Sequence, residues 1–127
     1  MLLPDDLTHE QYCYLTTTGR KSGEPREIEI WFGVDGATLY LMAGGREKSH
    51  WVRNLDKTPA ATVRLREATF SVTARRVSDP GEETRVREML VAKYSPGYSG
   101  DLTTWGRTAL PIALDIQSEA TASVREA

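Results

Sequence analysis

Apolar and polar residues alternate along several stretches of this chain, with the period of two that is typical of a strand with one buried face. The clearest case is residues 26–34, where Ile28, Ile30, Phe32 and Val34 alternate with polar or small neighbours. Runs rich in β-branched and aromatic residues predict further strands, and these runs cover residues 12–18, 38–43, 60–66, 68–77 and 110–116. The pattern therefore predicts six strands.

Two segments have helical spacing instead. Residues 49–56 place Trp51 and Leu55 on one side of a short helix, with Ser49 as its N-cap and Pro59 as its terminator. A longer helix begins at Asp79, which is followed by Pro80 at the first helical position and by Glu82 where a capping box places an acid. We expect this second helix to end near Tyr94.

The remaining segments are predicted to be mainly irregular: residues 1–11 form an arm or a short helical turn, residues 98–107 a loop and residues 118–127 a flexible tail. No long crossover helices alternate with the strands. The chain is therefore predicted to be a single domain, mainly β with helices, in which a six-stranded antiparallel barrel has helices over its openings. No Gly-x-Gly-x-x-Gly follows a strand, so a Rossmann nicotinamide site has no support.

Composition narrows the classes of ligand. With 16 Lys and Arg against 18 Asp and Glu, the net charge of -2 argues against general nucleic-acid binding. Positive charge is nevertheless concentrated in residues 19–26 and 46–57, each with two more bases than acids. Local clusters of this kind favour a compact anion site.

Cysteine and histidine usage narrows the chemistry further. Cys13 is the single cysteine and lies in a β-type run, so we expect it to be a small buried residue. His9 and His50 do not have metal-ligand spacing, so no metal is predicted. The first residues lack the pattern of a signal peptide, and no apolar run is long enough for a membrane span, which predicts a cytoplasmic protein.

The turn between the first two strands collects the candidate chemistry. Arg20, Lys21 and Arg26 lie close together in sequence, beside Ser22, the flexible Gly19 and Gly23, and the threonines at 16–18. Guanidinium forks and exposed turn amides both donate to phosphate or carboxylate oxygens, so this tip suits a ligand with several negative charges. The alternative is a solvated hairpin whose cations only maintain solubility.

Several ordered motifs resemble the deazaflavin-dependent nitroreductase family. They are the stretch from Leu15 to Arg26, then Gly44-Gly45 ahead of Trp51-Val52-Arg53-Asn54-Leu55, and finally Trp105-Gly106-Arg107-Thr108 with Leu110-Pro111-Ile112. The resemblance runs from about residue 12 to residue 116. It implies a split β-barrel of the flavin-reductase or FMN-binding type.

The same resemblance implies that the barrel binds the reduced deazaflavin coenzyme F420, whose tail carries a phosphate and a polyglutamate chain. By position, Arg20, Lys21 and Arg26 correspond to the contacts with this tail, assisted by Thr18 and Ser22.

The ring of the cofactor is expected beside a second set of residues. Gly44 and Gly45 would let the main chain approach the ring, and Trp51 and Asn54 share a helix face toward it. Each has a structural alternative: a simple turn for the glycines, core packing for Trp51, and backbone bridging for Asn54.

The implied activity is hydride transfer from the reduced deazaflavin to a small-molecule acceptor, which is a quinone, an activated enone or a nitroaromatic compound. Tyr98 is the preferred candidate for proton donation to the acceptor. Tyr94 and Trp105 are its neighbours in the predicted acceptor pocket. The alternative for Tyr94 is a core position on the helix.

Some residues depart from the family pattern. Met42 and Ala43 precede the Gly-Gly pair where the family commonly has a Ser-Lys pair, and Glu27 and Glu29 stand where Pro and apolar residues are usual. A carboxylate there can repel an acidic tail, pair with Arg53 or Arg64, or face water. FMN therefore remains an alternative cofactor, a non-catalytic flavin or small-ligand carrier remains an alternative function, and a homodimer is left open.

Overall fold

The structure, a computed structural model, describes residues 1–120. Seven strands are present in that range: β1 (Cys13–Thr18), β2 (Pro25–Ile30), β3 (Gly33–Asp35), β4 (Thr38–Ala43), β5 (Ala60–Leu65), β6 (Ala68–Arg76) and β7 (Leu110–Glu119). The four α-helices there are α1 (Asp5–Thr8), α2 (His50–Lys57), α3 (Pro80–Tyr94) and α4 (Thr103–Thr108).

The strands form one sheet in the order β2-β1-β5-β6-β7-β4-β3, and every neighbouring pair is antiparallel. The two strands at the ends of this order, β2 and β3, are joined only by Trp31 and Phe32. The three Cα–Cα steps from Ile30 to Gly33 span at most about 11 Å, so the sheet must curl until its ends approach each other. The predicted mixed α and β fold built on a curled antiparallel sheet is confirmed.

The prediction of six strands is wrong by one, because residues 26–34 do not form a continuous strand. At Phe32 the backbone N–H donates to the hydroxyl of Tyr94 at 2.9 Å, and the Phe32 carbonyl accepts from Lys93 at 2.9 Å. Side chains of α3 thus take the backbone groups that a strand would pair with its neighbour. Period two in the sequence continues across this break, so the pattern alone could not locate it.

The sheet buries side chains on both faces of its central strands. In β4, Leu39 and Leu41 pack into one hydrophobic cluster, while Tyr40 and Met42 pack into a second one beneath α3 and α4. Alternate residues of a strand point to opposite faces. Because both faces of β4 are covered, the strand carries an apolar run and no polar alternation.

The predicted short helix and the predicted longer helix are confirmed as α2 and α3. The carboxylate of Asp79 accepts from the backbone N–H of Glu82 at 2.8 Å, as an N-cap does. Ser49 occupies the N-cap position of α2, although its side chain makes no capping hydrogen bond. Among the helices of residues 1–120, none combines the length and apolar character that a membrane crossing requires.

The prediction of an irregular loop over residues 98–107 is wrong, because α4 forms within it. Asp101 accepts from the backbone N–H of Thr103 at 2.9 Å, while Arg87 donates to the carbonyls of Gly106 and Ala109 at the other end of the helix. The arm over residues 1–11 contains the short α1. The predicted tail begins later than residue 118, since β7 continues to Glu119, and residues 121–127 of that tail lie outside the described range.

Candidate functional site

A cavity of about 670 Å³ lies between the β1–β2 hairpin and α2. The cavity wall includes six of the predicted cofactor contacts, which are Arg20, Lys21, Ser22, Arg26, Trp51 and Asn54. Thr17, Glu27 and His50 also line it. The structure therefore brings the three cations of the turn and the predicted face of α2 to one cavity.

The local shape of the hairpin depends on Gly19 and Gly23. The Gly19 N–H donates to the carbonyl of Glu24, and the Gly23 N–H donates to the carbonyl of Gly19, each at 2.8 Å. Gly23 has φ of +75°, a left-handed conformation that favours glycine. A Cβ on Gly19 would lie 2.8 Å from Oγ of Ser22 and 3.1 Å from the Glu24 carbonyl. Glycine at both positions therefore lets the turn fold tightly enough to present its cations together.

Arg20 is held against α2 by three side chains of that helix. Oδ1 of Asn54 accepts from the Arg20 backbone N–H at 3.2 Å and from Nη1 at 2.9 Å. Nη2 lies 3.1 Å from Nδ1 of His50, and Nζ of Lys57 donates to the Arg20 carbonyl at 2.7 Å. The positions of these three residues on α2 place them along one side of the helix.

Asn54 connects the helix to the floor of the hairpin. It is only 4% exposed, and its Nδ2 donates to Oγ1 of the buried Thr17 at 3.1 Å. Together with the bonds to Arg20, this contact uses both polar atoms of the amide. Asn54 thus binds the backbone N–H and the guanidinium of Arg20 as well as the hydroxyl of Thr17, and it positions Arg20 at the cavity wall.

Lys21 and Arg26 are the exposed cations of the cavity. Arg26 donates through Nη2 to Oγ of Ser22 at 3.2 Å. Among the described residues, no carboxylate lies within 4.0 Å of either cation. Glu27, which also lines the cavity, is 3.8 Å from Nη2 of Arg64. The carboxylate of Glu27 thus pairs with Arg64, one of the alternatives left open by the sequence, and does not pair with Lys21 or Arg26.

Thr18 lies outside this cavity. Inward-facing positions of β1 alternate as Cys13, Leu15 and Thr17, so Thr18 belongs to the other face. There it lines a second groove of about 460 Å³ together with Thr16. The neighbouring Thr17, which is 3% exposed, lines both this groove and the cation-lined cavity, whereas Thr18 lines only the groove. The inward period of β1 is the sequence signal that distinguishes these two threonines.

Gly44 and Gly45 are exposed and do not line the cavity. A Cβ on Gly44 would lie 3.6 Å from the Trp105 indole, which shows that the indole packs beside this bend. A Cβ on Gly45 would be 2.8 Å from Oγ of Ser49. The absence of a side chain at Gly45 therefore serves the close approach of the chain to the start of α2.

An aromatic cluster forms on the other side of this bend, around Trp31. Its ring stacks on Tyr94 with centroids 4.2 Å apart, and it meets the edges of Tyr98 and Trp105 at 5.8 and 5.5 Å. The structure thus brings together the three aromatic residues predicted for the acceptor pocket. Trp31 itself was missed, although a tryptophan at an outward position of an alternating strand is a signal that was available.

Tyr94 and Tyr98 have different environments. The Tyr94 ring is 2% exposed, its hydroxyl lies 2.9 Å from the Gln11 carbonyl and 3.0 Å from that of Phe32, and burial raises its pKa to about 12. Tyr98 is 46% exposed. The environment of Tyr94 matches the core alternative, whereas Tyr98 presents its ring to solvent at the edge of the aromatic cluster.

Lys93 is a half-buried cation that sequence reasoning missed. Its ammonium group lies 3.7 Å from the centre of the Phe32 ring and donates to the carbonyls of Phe32 and Thr8. Burial lowers the pKa of Lys93 to about 8. Because these contacts tie α1 and the β2–β3 junction to α3, the role they define is structural.

Together, these observations describe a small protein with a curled antiparallel sheet and a cavity lined by three cations. Residues 5–117 match the sequence model of the F420H(2)-dependent quinone reductase family. Because the match covers most of the chain, the protein belongs to this family and is an oxidoreductase of the deazaflavin-dependent class. The family resemblance predicted from the motifs is confirmed.

Solved structures with the same fold include two F420 reductases and one FAD-binding protein. An F420 reductase is 19% identical, with a TM-score of 0.65 over 93% of this chain and 98% of its own. An F420-H2 dependent reductase, FDR-A, is 22% identical, with a TM-score of 0.64 over 85% and 95%. An FAD-binding protein from Mesorhizobium loti is 16% identical, with a TM-score of 0.65 over 91% and 90%. These similarities show the fold.

Proposed function

We propose that this protein transfers a hydride from reduced coenzyme F420 to a quinone, an enone or a nitroaromatic acceptor. The observation that carries the proposal is the cavity at the β1–β2 hairpin, where Lys21 and Arg26 have no carboxylate partner among the described residues. Uncompensated cations in one cavity repel each other, and an acidic ligand relieves that repulsion. Family membership and the two F420 reductases among the similar folds support the same cofactor.

The side chains of the cavity fit the acidic tail implied by the family. Lys21 supplies a mobile ammonium group, and Arg26 supplies a guanidinium fork beside the hydroxyl of Ser22. Arg20 adds a third charge that is already fixed by α2, so binding costs little further ordering of that side chain. The half-exposed Trp51 offers an apolar wall next to these charges.

When bound, the reduced deazaflavin supplies the hydride, and the protein must orient the acceptor and provide a proton. We assign the orientation to the ring faces and edges of Trp31 and of Trp105, whose indole packs beside Gly44. We assign proton donation to Tyr98, since its ring is exposed at this cluster while Tyr94 is engaged in backbone contacts.

Binding experiments test the cofactor assignment. Purified protein is titrated with oxidised F420, reduced F420 and FMN at low and high salt, and Arg26→Ala is compared with Arg85→Ala. Arg85 is an exposed arginine on α3 whose nearest carboxylate, Asp35, lies 3.7 Å away. We expect Arg26→Ala to weaken F420 binding about tenfold, because a charge-assisted hydrogen bond is lost. Arg85→Ala should leave the Kd unchanged, and tighter binding of FMN than of F420 would contradict the proposal.

Two observations favour the alternative flavin. A similar fold belongs to a protein described as FAD-binding, and Glu27 places a carboxylate in the cavity wall. An FMN-dependent reductase would reduce menadione with reduced FMN as the hydride donor in place of reduced F420. A non-catalytic flavin or small-ligand carrier would bind tightly without any turnover of menadione or a nitroaromatic probe. Measuring both ligands with both acceptors separates these cases.

A homodimer also belongs to this proposal. One similar fold is described as a domain-swapped dimer, at 22% identity and a TM-score of 0.66 over 83% of this chain and 80% of its own. Sedimentation of the purified protein at micromolar concentration measures the assembly state directly. The cytoplasmic location stays a prediction of the sequence.

A further inference from the structure

His50 is a residue of the cation-lined cavity that neither the motifs nor the proposed function uses. It occupies the first position of α2, is exposed, and lines the cavity together with Arg20. Nδ1 of His50 lies 3.1 Å from Nη2 of Arg20. Because a guanidinium only donates hydrogen bonds, this contact requires an unprotonated Nδ1 and therefore a neutral imidazole ring.

Protonation of this ring changes the charge of the cavity. A protonated Nδ1 cannot accept from Arg20, and the imidazolium would then face a guanidinium at contact distance. Like charges at this separation disfavour the protonated form, whereas an anion placed between them favours it. Protonation of His50 and binding of an anion in the cavity should therefore promote each other, since such coupling is reciprocal.

The charges that face His50 strengthen this coupling. The hairpin presents Arg20, Lys21 and Arg26, and α2 itself carries Lys57, whose ammonium group binds the Arg20 carbonyl. The other charged groups of these segments are Glu24 in the hairpin, Glu27 of β2, which pairs with Arg64, and Arg46, Glu47 and Lys48 in the 3₁₀ turn before α2. On α2 they are Arg53 and Asp56, and the Asp56 carboxylate pairs with Arg76. Cations thus dominate the surroundings of the imidazole until an acidic ligand enters.

We propose that His50 is a further binding residue of this cavity, one that takes up a proton when a polyanionic tail binds. The inference rests on the proposed function for the nature of that tail. Imidazole is the side chain that ordinarily changes charge near neutral pH, so the affinity for the tail becomes sensitive to pH in that range. Arg20 then gives up its contact with Nδ1 and shares the anion with the imidazolium.

The experiment compares the Kd for oxidised F420 from pH 5.5 to 8.5 in the wild type, His50→Gln, His50→Lys and the control His9→Gln. Gln retains an acceptor for Arg20 and cannot take up a proton, while Lys carries a charge throughout this range. His9 is the other histidine of the chain and is paired with Asp5 on α1, far along the sequence from the cavity. The ratio of the wild-type Kd to the variant Kd at one pH cancels the effect of the ligand's own ionisation on the affinity. It also cancels the effect of the ionisation of Lys93, whose pKa of about 8 falls within the range.

We expect the wild type and His9→Gln to gain about three- to tenfold in affinity over His50→Gln between pH 8 and pH 6, in line with one added charge near the surface. His50→Lys should bind tightly at both pH values. Calorimetry in two buffers of different ionisation enthalpy should show more proton uptake by the wild type than by His50→Gln. NMR resolves the two imidazoles, and only the His50 signal should move toward the protonated position when F420 is added.

The two proposals fail in different ways. If the wild type binds F420 but its affinity relative to His50→Gln does not change with pH, the inference about His50 is overturned and the proposed function stands. If the wild type binds F420 at no pH, both are overturned.

Discussion

At the scale of single residues, the two tyrosines of the predicted acceptor pocket differ in role: Tyr94 packs in the core, and Tyr98 is the candidate proton donor. Tyr94 accepts from the buried N–H of Phe32, and its ring stacks on Trp31. Tyr98 meets Trp31 only through an edge contact and is 46% exposed. Removing each hydroxyl should therefore change a different property of the protein.

Tyr94→Phe should lower the free energy of unfolding by about 1 to 3 kcal/mol, because the Phe32 N–H loses its acceptor in a buried position. Urea denaturation followed by circular dichroism measures the change. The matched control is Tyr98→Phe, which should unfold at the wild-type urea concentration. Equal stability of the two variants would show that the Tyr94 hydroxyl does not stabilise the β2–β3 junction.

Tyr98→Phe should instead lower the turnover of menadione by about a hundredfold, the lower end of what a general acid contributes. F420 binding should be unaffected, since Tyr98 does not line the cavity between the hairpin and α2. Stopped-flow oxidation of reduced F420 measures the hydride step. Unchanged turnover across neutral pH would exclude proton donation by Tyr98.

The residue scale also shows what sequence reasoning can and cannot supply. Arg20, Lys21 and Arg26 were singled out because their charge and their place in a glycine turn are visible locally. The bonds between Arg20 and Asn54 join residues 34 positions apart and depend on how α2 packs against the hairpin. No periodicity encodes such a contact, and so the positioning role of Asn54 required coordinates.

At the scale of elements, prediction succeeded where the signals are local. The start of α3 was recognised because Asp79, Pro80 and Glu82 act within one turn of helix. The break at Phe32 and the helix α4 were missed, since both depend on side chains of α3 that bind backbone groups far away in sequence. Both missed features therefore depend on hydrogen bonds between α3 side chains and backbone groups that are distant in sequence.

The packing of α4 on α3 offers a direct test at this scale. A Cβ on the buried Gly106 would lie 2.5 Å from Cγ2 of Val91. Alanine in a helix is ordinarily favoured over glycine by about 1 kcal/mol. The short, branched Val91 side chain cannot move away cheaply, so we expect Gly106→Ala to destabilise the protein by about 1 to 3 kcal/mol.

Thermal unfolding measures the effect of Gly106→Ala, and Gly97→Ala is the matched control. A Cβ on Gly97 would meet nothing within 4 Å, and its backbone is not left-handed. The control should therefore melt at the wild-type temperature or slightly above it. A stabilised Gly106→Ala would mean that α4 shifts freely on α3, which conflicts with the capping of its carbonyls by Arg87.

At the scale of the whole molecule, one ionic network joins four elements of the barrel. Arg75 on β6 donates to Glu82 on α3 at 2.8 Å and to Asp115 on β7 at 2.8 Å. Tyr40 on β4 donates to the same Glu82 carboxylate. Glu82 is mostly covered, with 12% of its side chain exposed, so solvent screens the network less than it screens an ordinary surface pair.

Through this network, the free energy of unfolding depends on pH. The hydrogen bonds from Arg75, and then that from Tyr40, lower the pKa of Glu82 from 4.5 to about 2 in the folded protein. The unfolded chain therefore takes up this proton at a higher pH than the folded chain does. The stabilisation is fully present above about pH 5 and is lost progressively as the pH falls from the unfolded pKa of about 4.5 toward 2.

We expect the wild type to lose about 2 kcal/mol more stability than Glu82→Gln between pH 7 and pH 3, the value that linkage gives for one group with this shift. Urea denaturation of both proteins at the two pH values measures the double difference, in which the other carboxylates cancel. Gln can still accept from Tyr40, so the comparison isolates the charge paired with Arg75. An equal loss in both proteins would show that Glu82 titrates normally and that the contact between α3 and the sheet is held by apolar packing of Val86 and Leu90 alone.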